Sequence, residues 1–119
     1  MTTWTPEELT WLTASDSLVL RAGDDEHAEV EIGMIIVHGD LYVRAHRGVQ
    51  SAWYRTAADQ GHGRIRVGNH TRDVLLETHD IGPAEPIDAA YQTKYGRSSA
   101  LVASPAARSA TVRITPVQP

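Results

Sequence analysis

The run Arg44-Ala-His-Arg-Gly-Val-Gln-Ser-Ala-Trp-Tyr-Arg55 sets Arg44, His46 and Arg47 directly ahead of Gly48, Ser51 and the adjacent aromatics Trp53 and Tyr54. Arginine forms charge-assisted bonds to phosphate, each contributing on the order of 1.5–3 kcal/mol. The run also reads as a helix start, where unpaired amides and a partial positive charge favour an anion. Ser51 can lend its hydroxyl or cap the helix. Trp53 or Tyr54 can stack on a ring, although two consecutive aromatics at a helix start usually place one in the core. Charge, amides and flat rings together suit a phosphorylated ring compound.

The wider charge pattern agrees with this. Residues 44–72 hold six of the ten arginines (Arg44, Arg47, Arg55, Arg64, Arg66, Arg72) and one acid, Asp59, for a charge of +5 (6 − 1). The remainder carries 5 basic and 14 acidic residues, or −9, and the two sum to the net −4. A basic island in an acidic chain predicts a small negative ligand there, the plain alternative being a solvated arginine face. A pI near 5.8 argues against DNA or RNA as the main partner.

The length of 119 residues and 41% hydrophobic content predict one domain, 1–119, able to bury its own core. The absence of cysteine excludes disulfides, thiolate metal sites and thiol nucleophiles. With no apolar run near membrane-spanning length and no secretion-signal pattern at Met1 to Trp4, the expectation is a cytoplasmic protein without membrane contact.

The elements that must position these residues follow from caps and periodicity. Thr5, Pro6 and Glu8 form a capping box that opens a helix to about Ala14. Leu18 to Leu20 begins a strand, Gly23 to Glu26 reads as a turn, and Ala28 to Val37 as one long strand. His38-Gly39-Asp40 is a hairpin connection into a strand over Leu41 to His46. A helix over Ala52 to Gln60 stops at Gly61, and a second hairpin pairs Arg64–Val67 with Thr71–Thr78. An amphipathic helix spans Pro86 to Tyr95, and Arg108 to Thr115 closes the chain as a strand. This order predicts a mainly β protein with flanking helices, its six strands forming a small antiparallel barrel.

Other chemistry fails on spacing. Tyr91 and Lys94 resemble a tyrosine-lysine acid/base pair but stand three apart, with no dinucleotide glycine motif. Histidines at 27, 38, 46, 62, 70 and 79 give no close ligand pair, so no metal is expected. Ser51 lacks the turn of a serine nucleophile.

The run Leu41 to Arg55, Gly63-Arg-Ile-Arg-Val67 and Ile87-Asp-Ala-Ala-Tyr-Gln-Thr-Lys-Tyr-Gly-Arg97 closely resemble the family called domain of unknown function 2255. That family is in turn similar to the flavin-binding split barrels, including the pyridoxamine 5′-phosphate oxidase-like proteins and the deazaflavin-dependent nitroreductases. Ser51-Ala-Trp-Tyr54 stands where the deazaflavin enzymes have Pro-x-Trp-Tyr. Their basic Gly-Arg-x-Ser-Gly turn has no counterpart, and acidic Asp24-Asp25-Glu26 stands near its place. The resemblance implies a split β-barrel homodimer binding FMN or the 8-hydroxy-5-deazaflavin cofactor, with Arg47 and Gly48 by the phosphates and Trp53 and Tyr54 lining the site. With Arg44 and Ser51 as further ligands, the expected function is cofactor binding, extending to reduction of a small organic substrate. The rivals are a non-redox module for a phosphorylated metabolite or acidic partner, and a cofactor-free barrel enzyme.

Overall fold

Thr5 opens the first helix as its sequence requires. Its hydroxyl accepts from the Glu8 amide at 3.1 Å, while the Glu8 carboxylate accepts from the Thr5 amide at 2.9 Å. The second Glu8 oxygen holds Arg72 at 2.9 Å, tying α1 (Pro6–Thr13) to a distant strand. The computed structural model describes residues 3–24, 29–79 and 81–117, so Asp25 and Glu26 of the expected turn, and the expected strand start at Ala28, lie outside it.

Seven strands follow among the described residues: β1 (Ser17–Ala22), β2 (Glu29–Gly33), β3 (Ile35–Val37), β4 (Asp40–Arg44), β5 (His62–Val67), β6 (His70–Glu77) and β7 (Thr111–Pro116). They form one curled antiparallel sheet, a half-barrel, in the order β2-β1-β5-β6-β7-β4-β3. Period-two alternation sends Leu18, Leu20, Ile65, Val67, Val74, Leu76, Val112, Ile114, Leu41 and Val43 to the inner face, where all are buried. Trp4 and Leu12, together with Tyr54 and Ala57 of α2 (Ala52–Gln60), join this core. The Trp4 indole donates to the Ile114 carbonyl at 3.0 Å.

A smaller cluster lies on the outer face, where Ile35 and Tyr42 meet Ile87 and Tyr91 of α3 (Ala84–Tyr95). Turns of 3-10 helix at Gly48–Gln50 and Gly96–Val102 and a short α4 (Pro105–Ser109) complete the chain. No described helix is long and apolar enough to cross a membrane.

The count of seven strands, not six, corrects one expectation. The run ending at Val37 is broken at Met34: β2 pairs with β1, whereas β3 pairs with β4 at the opposite edge of the sheet. Physically, α3 makes the break tolerable by satisfying the backbone there. The Tyr95 hydroxyl accepts from the Met34 amide at 2.8 Å and donates to the Asp16 carbonyl at 2.6 Å, and Lys94 Nζ donates to the Met34 carbonyl at 2.9 Å. Gly33 gives the tyrosine room, since a Cβ there would lie 3.0 Å from its hydroxyl oxygen. Met34 is fully buried, so Tyr95→Phe strands a buried amide and is expected to cost about 1–3 kcal/mol. A lowered urea midpoint at unchanged m-value would show this.

The His38-Gly39 connection is the tight hairpin expected. Both residues have positive φ, 52° and 83°, matching the mirror-image turn that follows strand twist.

Candidate functional site

Arg44 ends β4 with its side chain on the outer face, beneath α3, at 1% exposure. Its Nε donates to the Thr111 hydroxyl at 3.0 Å. Its terminal nitrogens donate to the Asp88 carboxylate, to the Val102 carbonyl at 3.0 Å and to the Ala84 carbonyl at 3.4 Å. The guanidinium carbon also lies 5.6 Å from the centre of the Tyr91 ring. Arg108 meets the other Asp88 oxygen at 2.7 Å. Burial pushes the Asp88 carboxyl up, but the hydrogen bonds and charges of Arg44 and Arg108 outweigh it and hold Asp88 below its ordinary range. Arg44 therefore knits β4, β7, α3 and the Gly96–Val102 turn together, with its charge already answered.

The chain leaves β4 through exposed His46 and Arg47 and enters α2 at Ser51. His46, Arg47, Ser51, Ala52 and Trp53 form one wall of a cleft of about 350 Å³, and Glu29, Val30, Glu31 and Ile32 of β2 form the other. Ser51 occupies the α2 N-cap position but makes no side-chain cap. Of the paired aromatics, Trp53 lines the cleft and is partly buried, whereas Tyr54 sits in the barrel core. Gly48 adopts φ 84°, and a Cβ would lie 3.2 Å from the Ala106 methyl, so close packing on α4 also requires glycine there.

The other island arginines do not converge on this cleft. Arg55 is exposed on α2, and Arg72 turns to Glu8 and Trp4. Arg64 and Arg66 point out from β5 with Arg64 paired to Asp73 at 2.8 Å. Between them the chain passes through α2 and the β5–β6 hairpin, so the six arginines of the island do not gather into one patch in space.

A second chamber, about 260 Å³, adjoins the cleft through their shared walls Glu31, Ile32 and His46. Gly33, Arg44, Tyr91, Tyr95 and Val102 complete it. Tyr91 and Lys94 do not act as a pair: Lys94 is engaged at Met34, with burial holding its ammonium below the ordinary lysine range. Asp88 was not singled out from sequence, although a signal existed. Asp88, Tyr91 and Tyr95 stand at i, i+3 and i+7, so an acid lies on the apolar stripe of α3 and requires a cation.

Fold and site thus define a helix-flanked, mainly β half-barrel with a two-part cleft beside its β2 edge. Residues 8–114 match the model of the family described as "Uncharacterized protein conserved in bacteria (DUF2255)", and the chain belongs to that family. No curated protein and no solved structure gives a significant match.

Proposed function

We propose that this chain is a split-barrel protein that binds a flavin or deazaflavin phosphate, FMN or the 8-hydroxy-5-deazaflavin cofactor, in the larger cleft. The single observation that carries the reading is that Arg47, Ser51 and Trp53 line one wall together, at the start of α2. Arg47 and Ser51, with the first α2 amides, take the phosphate, because Glu29 and Glu31 make the facing wall repel it. Trp53 offers the ring a flat partner. Arg44 takes no part in holding the phosphate, since Asp88 already pairs with it. A bound flavin would supply hydride transfer to a small organic substrate, the protein positioning and tuning the ring.

The cleft volume is at the low end of the roughly 300–1,000 Å³ of small-molecule sites. A homodimer fits that shortfall, with a second copy enclosing the ring near exposed Val49.

Titration with FMN and with the deazaflavin cofactor, followed by ring fluorescence, tests the reading. Arg47 is exposed, so Arg47→Ala should fold normally and bind about 10-fold or more weakly, the equivalent of one lost charge-assisted bond. Unchanged affinity in that variant, or no binding by the wild type, would sink the assignment. The engagement of Arg44 leaves a single arginine in the cleft, which favours one rival, a non-redox module for a smaller phosphorylated metabolite. Thermal stabilisation by simple sugar phosphates but not by flavins would select it.

A further inference from the structure

Strand register brings three arginines together on the outer face of the sheet. Arg21 of β1 stands directly opposite Arg64 of β5, and Arg66, two residues on, shares the face of Arg64. Like charges set across a ladder destabilise it, so the cluster needs an answer. Part of that answer is built in. Asp73 of β6 accepts from Arg64 Nε at 2.8 Å, and Glu29 of β2 stands opposite Arg21 in register. Arg66 has no acid beside it, because its cross-strand neighbours are Val19 and Thr71. Among the described residues neither Arg21 nor Arg66 forms an ion pair. Three cations against two carboxylates leave one positive charge over, centred on Arg66.

These arginines, with Thr71 and Glu29, line one groove of about 250 Å³. Arg64, Arg66 and Thr71 are exposed and present their donors to it. Arg21 is half-buried, its Nε enclosed without a partner, so its part is the positive field it adds beneath. The groove shares only Glu29 with the larger cleft, and neither Arg47 nor Trp53 borders it. No aromatic side chain among the described residues lines it, so a ring finds no flat partner there. Two guanidinium groups and a hydroxyl offer more donors than the two oxygens of a carboxylate use, which suits the oxygens of a phosphate. One surplus charge, with Glu29 at the wall, matches a single phosphate group and opposes a polyphosphate or a nucleic-acid backbone. We infer that this groove is a separate anion site that holds one phosphate group of a small molecule through Arg64, Arg66 and Thr71. The inference does not depend on what occupies the larger cleft.

Amide chemical-shift titration of the whole chain with sodium phosphate, glycerol phosphate and malonate, at fixed ionic strength and without flavin, tests this. Both phosphates should give saturable shifts centred on Arg21, Arg64, Arg66 and Thr71, weakening as salt rises, and malonate should bind less tightly. An ester bound at least as tightly as the inorganic ion marks a phosphate ester as the occupant; tighter inorganic phosphate marks the free ion. Arg66→Gln should fold normally and weaken phosphate about 10-fold or more, the low end for one charge-assisted bond because the guanidinium is exposed. Its melting temperature in chloride should equal or exceed that of the wild type, since a like charge has been removed. Thr71→Val should weaken phosphate about 3- to 10-fold, the range for one neutral hydrogen bond. Arg47→Ala should leave the groove's shifts unchanged. Absence of saturable shifts, malonate bound as tightly as phosphate, unaltered affinity in either groove variant, a destabilised Arg66→Gln, or loss of the groove's shifts in Arg47→Ala would each overturn the inference. A negative flavin titration would leave these results untouched, so the two readings fail separately.

Discussion

Arg44→Ala is expected to destabilise the protein by about 3–4 kcal/mol, near the low end for breaking a buried ion pair because Asp88 keeps Arg108 as a partner. The loss has several parts: a partly buried carboxylate with one cation fewer, and the Thr111 hydroxyl and two carbonyls deprived of their donor. Lysine should not restore it, since one ammonium cannot span Thr111, Asp88, Val102 and Ala84 at once. Arg44→Met combined with Asp88→Leu should recover most of the loss, because replacing both members removes the desolvation cost. Urea denaturation of the three variants measures this. The pH dependence has a definite sign. Asp88 is held below its ordinary pKa of 3.8, so its contribution is full above that value and fades as pH falls through the lower folded-state value. Arg44→Ala should flatten that part of the acid limb. An unaltered acid limb, or a loss below about 1 kcal/mol, would show that the pair does not hold α3 to the sheet.

A single methyl group at residue 63 should do comparable damage. Gly63 lies in β5 opposite Ala22 of β1, and a Cβ would fall 2.3 Å from the Arg21 carbonyl oxygen, 3.3 Å from the Ala22 Cα and 3.2 Å from a Leu76 methyl. Two of those neighbours are backbone, so no rotamer change relieves the contact; the strands must separate. Overpacking ordinarily costs about 1–3 kcal/mol, and a backbone clash within a ladder belongs at or beyond the upper figure. Gly63→Ala should therefore lower the melting temperature by more than 10 °C, taking about 4–8 °C per kcal/mol for a small domain. A drop under 4 °C would mean that β1 and β5 yield more easily than their packing implies.

Caps and alternation made most elements legible. Thr5-Pro6-Glu8 opened α1, Ser51 and Gly61 bracketed α2, and the inward residues of β5, β6 and β7 followed period two. What escaped was tertiary in origin. Continuous apolar character from Ile35 to Val37 gave no sign that the chain changes partners at Met34, because the groups that permit it, Lys94 and Tyr95, come some 60 residues later. The site divided in the same way. Arg47, Ser51 and Trp53 are close in sequence and remained together, whereas Arg44 lies on the outer face of β4, toward α3. Local charge density registers composition; strand parity decides which side of the sheet receives each charge.

The seam at Met34 also orders events in time. Its backbone partners lie 60 and 61 residues downstream, so the two sheet edges cannot be locked until α3 exists. During synthesis, the β5–β6 hairpin can form from near neighbours, but a nascent chain ending before residue 84 would hold β2 and β3 without their clasp. Such long-range closure is slow relative to local pairing. A helix that looks peripheral is thus a clasp on the two sheet edges, made before β7, the last strand, inserts between β6 and β4 to close the sheet.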